Sequence, residues 1–198
     1  MTANEVDLRA LAVAVGEPLA DQVLDGQARV TPEAVPGIEA NVVWRVRGES
    51  GPHPWQVYVG AWPDGRMRAL TADQDAWGDL VAVTGARLVD EAHARAYVET
   101  FLEVTRGALV IVRPVGSLDD LRWRPGSAEE EDARAALLAD PPAIAPLIAR
   151  TADGFRVELT LVVDQRLQRN TFEVTRGGAI TRTSFRVLAE HLPLPIAR

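Results

Sequence analysis

Trp55-Gln-Val-Tyr-Val-Gly-Ala-Trp62, followed at once by Pro63-Asp64-Gly65, is the stretch that decides the fold. Trp55, Val57 and Val59 fall on one face of an extended chain and Gln56 and Tyr58 on the other, the twofold period of a strand. The Pro-Asp-Gly sequence is a turn signal, and Arg66–Thr71 resumes the extended pattern behind it. Upstream, Val42-Val-Trp-Arg-Val-Arg47 alternates Trp44 and Val46 with Arg45 and Arg47, a strand with one wet face. Gly48–Pro54 joins the two as a turn rich in Gly and Pro. Three consecutive strands, the first two joined by that long turn, make an antiparallel meander.

Outward from this meander the period becomes helical. On the N-terminal side, Asn4 is placed to cap a helix whose face is Leu8, Leu11, Ala12 and Val15, and Gly16 stops it. Pro18 opens a second short helix to Gly26, and Gln27–Gly37, with Pro32 and Pro36, reads as a loop. On the C-terminal side, residues 72–83 read poorly as helix because Trp77-Gly78 interrupts them. Residues 89–105 carry a continuous stripe of Val89, Ala92, Ala96, Tyr97, Thr100, Phe101 and Val104, ended by Gly107. Ala108–Arg113 is an apolar run and reads as a buried strand. Ser127 with Glu130 forms a capping box for a helix over Ala128–Ala139, and Pro141-Pro142 is expected to open another to about Arg150. Three strands follow, over about 155–163, 166–175 and 179–188, with Gly177-Gly178 joining the last two.

The reading is an α+β fold of antiparallel β-meanders packed against helices. Residues 1–88 and 89–198 each hold helical material followed by a three-stranded meander, so either two similar subdomains or one larger sheet is expected. The order of elements over 89–188 is compatible with cone-like folds of the NTF2 or cystatin type, although no residue motif ties the chain to either.

Composition removes several functional classes. All 21 cationic side chains are arginine and there is no cysteine, so Schiff-base, thiolate and Walker-lysine chemistry lack their reacting groups. With Ala, Val, Gly and Pro in heavy use, the arginine bias points to a GC-rich bacterial genome. A net charge of -7 argues against general affinity for nucleic acid or anionic membranes. The charge is unevenly spread: residues 71–105 hold seven acids against two arginines, and residues 150–186 seven arginines against four acids. The N-terminal residues are acidic where a secretory leader is basic, so a cytoplasmic location is expected.

Motif searches remove more. Asp90-Glu91-Ala92-His93 spells a helicase signature, but no phosphate-binding loop accompanies it, and acids in a first helical turn suit the helix dipole. His53, His93 and His191 fall at no metal-ligand spacing, and no serine stands in G-x-S-x-G. Neither metal nor cofactor is expected.

Two sets of residues remain as candidates. Trp55, Tyr58 and Trp62, with Arg45 and Arg47, could present an interface or ligand surface, since aromatic and arginine side chains dominate contact energies; core packing is the alternative. Tyr97, Phe101, Phe155 and Phe172 could line a pocket between helix 89–105 and the C-terminal sheet. A non-catalytic protein-binding or assembly module, with self-association as one form of it, is the leading functional reading. A small enzyme or carrier for an apolar molecule, and a charge-guided regulator of a macromolecular partner, are the others.

Overall fold

The computed structural model describes residues 6–50, 53–107 and 112–195. Among these residues, two antiparallel sheets and five α-helices make up an α+β fold. Helix α1 (Leu8–Val15) is capped by Asp7, whose carboxylate accepts from the amides of Arg9 and Ala10, and it stops at Gly16 with φ 80°. Asn4, the cap expected from sequence, lies outside the described residues. Helix α2 (Ala20–Leu24) is shorter than expected.

The first sheet has the order β1–β2–β3–β4: β1 (Arg29–Glu33), β2 (Val43–Ser50), β3 (His53–Ala61) and β4 (Met67–Ala69). Strand β1 corrects the reading of 27–37 as loop. It is an edge strand paired only with β2, where Pro32 forfeits no ladder bond that the sheet needs. Helix α3 (Gln74–Thr84) likewise corrects the doubt over 72–83. Ala76, Trp77, Leu80 and Val81 turn inward while Gly78 lies on the solvent side, where glycine costs about 1 kcal/mol and packing outweighs it.

Helix α4 (Glu91–Thr105) begins after Asp90, which caps it by accepting from the amide of His93 at 2.8 Å. That backbone bond, with the imidazole beside it, holds the Asp90 carboxyl below its ordinary pKa. The helicase-like residues are therefore a cap. The buried stripe is Ala94, Tyr97, Val98, Phe101, Val104 and Thr105; it is rotated from the expected one, since Val89 and Ala92 are exposed.

The second sheet contains β5 (Val112–Val115), β6 (Leu147–Arg150), β7 (Gly154–Val163), β8 (Arg166–Thr175) and β9 (Ile180–Ala189). Its order is β5–β7–β8–β9, and β6 shares the outer edge of β7 with β5. The expected strand over 108–113 falls largely outside the described residues. Strand β6 replaces the helix expected to about Arg150, because the turn at Thr151–Asp153 lays it beside β7, with Arg150 opposite Phe155. Helix α5 (Ala128–Ala139) carries the expected capping box: the Ser127 amide donates to the Glu130 carboxylate at 2.7 Å, and the Glu130 amide donates back to Ser127 Oγ.

Three clusters set these elements in layers. Leu11, Ala12 and Val23 of α1 and α2 pack on Val46 and Val59, one face of the first sheet. Its other face, with Val43 and Tyr58, meets α3 and α4, which on their far side meet Phe155, Val157, Leu159 and Phe172 of the second sheet. This central cluster draws on both halves of the chain. Behind the second sheet, Val162 and Leu167 pack with Leu137 of α5 and with Leu192 and Leu194 of the tail. No helix among the described residues is long and apolar enough to cross a membrane.

Candidate functional site

The aromatic residues singled out in sequence are divided by the layers. Trp55 lies half-buried beneath α1 and α2, its indole N–H donating to Gln22 Oε1 at 3.1 Å. Tyr58 is buried on the opposite face, its hydroxyl donating to Glu103 Oε1 at 3.1 Å. Arg45 and Arg47 share that face, since they pair with Tyr58 and Gln56 across the ladder. Arg45 reaches Glu33 at 3.4 Å and Arg47 is exposed. These five residues do not form one surface.

Tyr97, Phe101, Phe155 and Phe172 all belong to the central cluster. Tyr97 is fully enclosed. Its hydroxyl accepts from the Trp77 indole at 3.1 Å and donates to the Gly178 carbonyl at 2.7 Å. Phe155 is core, while Phe101 and Phe172 also border a cleft.

Both tyrosines of the chain are thus held neutral. Burial first, and then the Glu103 carboxylate, push Tyr58 up to about 12; burial pushes Tyr97 further up. A phenol raised in the folded state leaves stability untouched below pH 10, and stability falls as pH rises from 10 towards 12, because the unfolded chain releases its protons first. Absorbance at 295 nm is expected to stay flat through pH 10–11 and to rise only with unfolding. An ordinary titration near pH 10 in folded protein would contradict the burial of both rings.

Trp62 belongs to a different arrangement. It is buried, yet its edge borders a groove of about 700 Å³ formed by α1, β4 and α3. The ladder of β4 explains the groove. Trp62 N donates to Arg66 O and Leu70 N donates to Tyr58 O, each at 2.8 Å, so residues 66, 68 and 70 point their backbone groups towards β3. Alternation then turns the N–H and C=O of Met67 and Ala69 outward, along an edge of the sheet that is open among the described residues. Helix α1 flanks this edge on the Met67 side with Ala10 and Val13. Helix α3 flanks it on the Arg68 side with Ala82 and Val83, where Arg68 reaches Asp73 at 2.6 Å and Asp79 at 3.6 Å. Val13 is 82% and Val83 55% exposed, a poor use of two branched apolar side chains on a wet surface. Arg9, Arg66 and Arg68 line the groove with Asp79, Arg66 paired with Asp64 and Arg68 with Asp73, each at 2.6 Å.

An open edge with apolar walls on both sides offers main-chain hydrogen bonds and side-chain pockets together. Sequence reasoning found Trp62 and missed Met67, Ala69, Val13 and Val83. The readable signal was the apolar residue at the wet position 13 of α1. Among the described residues no cluster of His and carboxylates could hold a metal ion. Comparison with known protein families, with characterised proteins and with solved structures returns no match for this chain.

Proposed function

We propose that the protein is a non-catalytic protein-binding module, and that it takes an extended, acidic and apolar segment of a partner as a fifth strand on the open edge of β4. The observation that supports this reading is the outward pair of Met67 and Ala69 backbone groups between the apolar walls of α1 and α3. Added strands draw affinity from main-chain bonds and specificity from alternate side chains. Here one set of side chains would meet Ala10 and Val13 and the other Ala82 and Val83, while Arg9 would meet a carboxylate at one end and Arg66 would share its charge between Asp64 and the partner. Self-pairing is the weaker arrangement, because the registers centred on Met67 or Arg68 set arginine against arginine. The proposed setting is a bacterial cell, which the arginine bias of the composition supports.

A fluorescein-labelled peptide with a short run of Val flanked by Glu at both ends, titrated by anisotropy, tests it. Saturable binding that weakens with added salt is expected. Ala69→Pro removes one outward N–H without touching the ladder to β3, and is expected to weaken binding about tenfold or more while leaving the melting temperature within a few degrees. Equal affinity for the two proteins, or no binding by either, would sink the proposal.

A further inference from the structure

Helix α4 does not cover the whole inner face of the second sheet. Beyond its C-terminal turn a cleft of about 570 Å³ opens, floored by Leu161, Val163 and Phe172 and roofed by Phe101 and Leu102. Two amides stand on this apolar floor. Asn170 is 1% exposed; its Nδ2 donates to the Gln168 carbonyl at 3.3 Å, and its Oδ1 has no partner among the described residues. That bond fixes the orientation of the amide, so the unpaired atom is an acceptor, on a residue that lines the cleft. Buried acceptors are almost always paired, and this one, beside the cleft, is not. Gln168, also buried, lines the cleft beside it.

A cation completes the set, and an irregularity in β9 puts it there. Thr171 pairs with Ser184 but Phe172 pairs with Arg182, so Thr183 is an extra residue, a β-bulge. The bulge turns Arg182 to the same side as Phe185, and the guanidinium lies 5.4 Å from that ring. Arg182 lines the cleft and makes no ion pair among the described residues. Phe185, 58% exposed, continues the apolar face outward. Among the described residues the lining has no carboxylate and no imidazole, and Arg106, the other cation there, is paired with Glu103 at 2.9 Å.

We infer that this cleft is a binding site for a small apolar molecule with a hydrogen-bond donor near its middle and an anionic end. The donor meets Asn170 Oδ1, the apolar body lies between Phe101 and Phe172, and the anion meets Arg182. The site is separate from the β4 groove and does not depend on its role.

The dye 8-anilinonaphthalene-1-sulfonate has rings, a bridging N–H and a sulfonate, and N-phenyl-1-naphthylamine is its counterpart without the sulfonate. One sulfonate dye per folded chain is expected, with enhanced emission. Asn170→Leu is expected to weaken both dyes about fivefold. Arg182→Gln is expected to weaken the sulfonate about tenfold and the neutral dye less than twofold. If Asn170→Leu fails to fold, the exposed Arg182→Gln change decides alone through the ratio of the two dyes. Unchanged sulfonate affinity in Arg182→Gln, or no dye binding to the wild-type protein, would overturn the inference. So would loss of binding on Val13→Glu, which would place the dye in the β4 groove; unchanged affinity there supports the cleft.

Discussion

Gly178→Ala is expected to destabilise the protein by about 3–5 kcal/mol. Gly178 has φ +90°, a conformation that costs an L-residue about 1–2 kcal/mol. A Cβ there would meet the Ala86 Cβ at 2.7 Å and the Tyr97 hydroxyl and Val81 Cγ1 at 2.9 Å. Overpacking of this kind costs about 1–3 kcal/mol, and displacement of the turn strains the bond from Tyr97 to the Gly178 carbonyl. The neighbour is the control: a Cβ on Gly177 meets only Thr175 Oγ1 at 3.9 Å, so Gly177→Ala should change little. Urea unfolding of the two variants checks this. Coincident midpoints would mean that the hairpin does not close over Tyr97 as described.

Trp77→Ala is the second large effect, a loss of about 3–5 kcal/mol by the range for deleting a buried aromatic side chain. Trp77 is 1% exposed, and its ring centre lies 5.6 Å from that of Tyr97 and 5.9 Å from that of Phe101. Its removal opens a void where α3 meets α4 and deprives Tyr97 of a donor. In a protein of this size each kcal/mol moves the melting temperature by about 2–4 °C, so a fall of roughly 10 °C is expected in calorimetry. Trp77→Phe separates the two contributions. It keeps most of the ring and loses the indole N–H, and should cost clearly less than alanine. A shift of under 2 °C for Trp77→Ala would show that the site tolerates the void or refills it.

How far the sequence carries can be traced through particular residues. Strands β2 and β3 were legible because Trp44 and Val46, and then Trp55, Val57 and Val59, alternate strictly against Arg45, Arg47, Gln56 and Tyr58. Strands β1 and β6 were not, since each is short and exposed on an edge and owes its form to the longer strand beside it. Helix α3 was obscured by Gly78, whose cost is local while the benefit of Trp77 is tertiary. The stripe of α4 was read as one band, whereas the helix lies between two sheets and buries a differently centred face.

The candidate sites were legible to different degrees. Phe101 and Phe172 were named as pocket residues and do border a cleft, yet the chemistry of that cleft comes from Asn170, which passes for an ordinary polar residue of a strand. Its parity was the available clue. Asn170 shares its face with Phe172 and Val174, where an apolar residue is the default. The position of Arg182 could not be read in this way, because the bulge at Thr183 breaks the very alternation on which parity depends. The β4 groove was hidden for another reason: whether a strand lies at an edge is a property of the assembled sheet.

Helix α3 borders both sites. Gln74, its first residue, lines the cleft, and Ala82 and Val83 near its end wall the groove, a separation of about 12 Å along the axis at 1.5 Å per residue. If a strand seated on β4 tilts this helix, the work of tilting it is charged to whatever occupies the cleft as well. Thermodynamic linkage then makes the effect reciprocal: a ligand in the cleft changes the affinity for the strand by the same factor, and in the same direction, as the strand changes the affinity for the ligand.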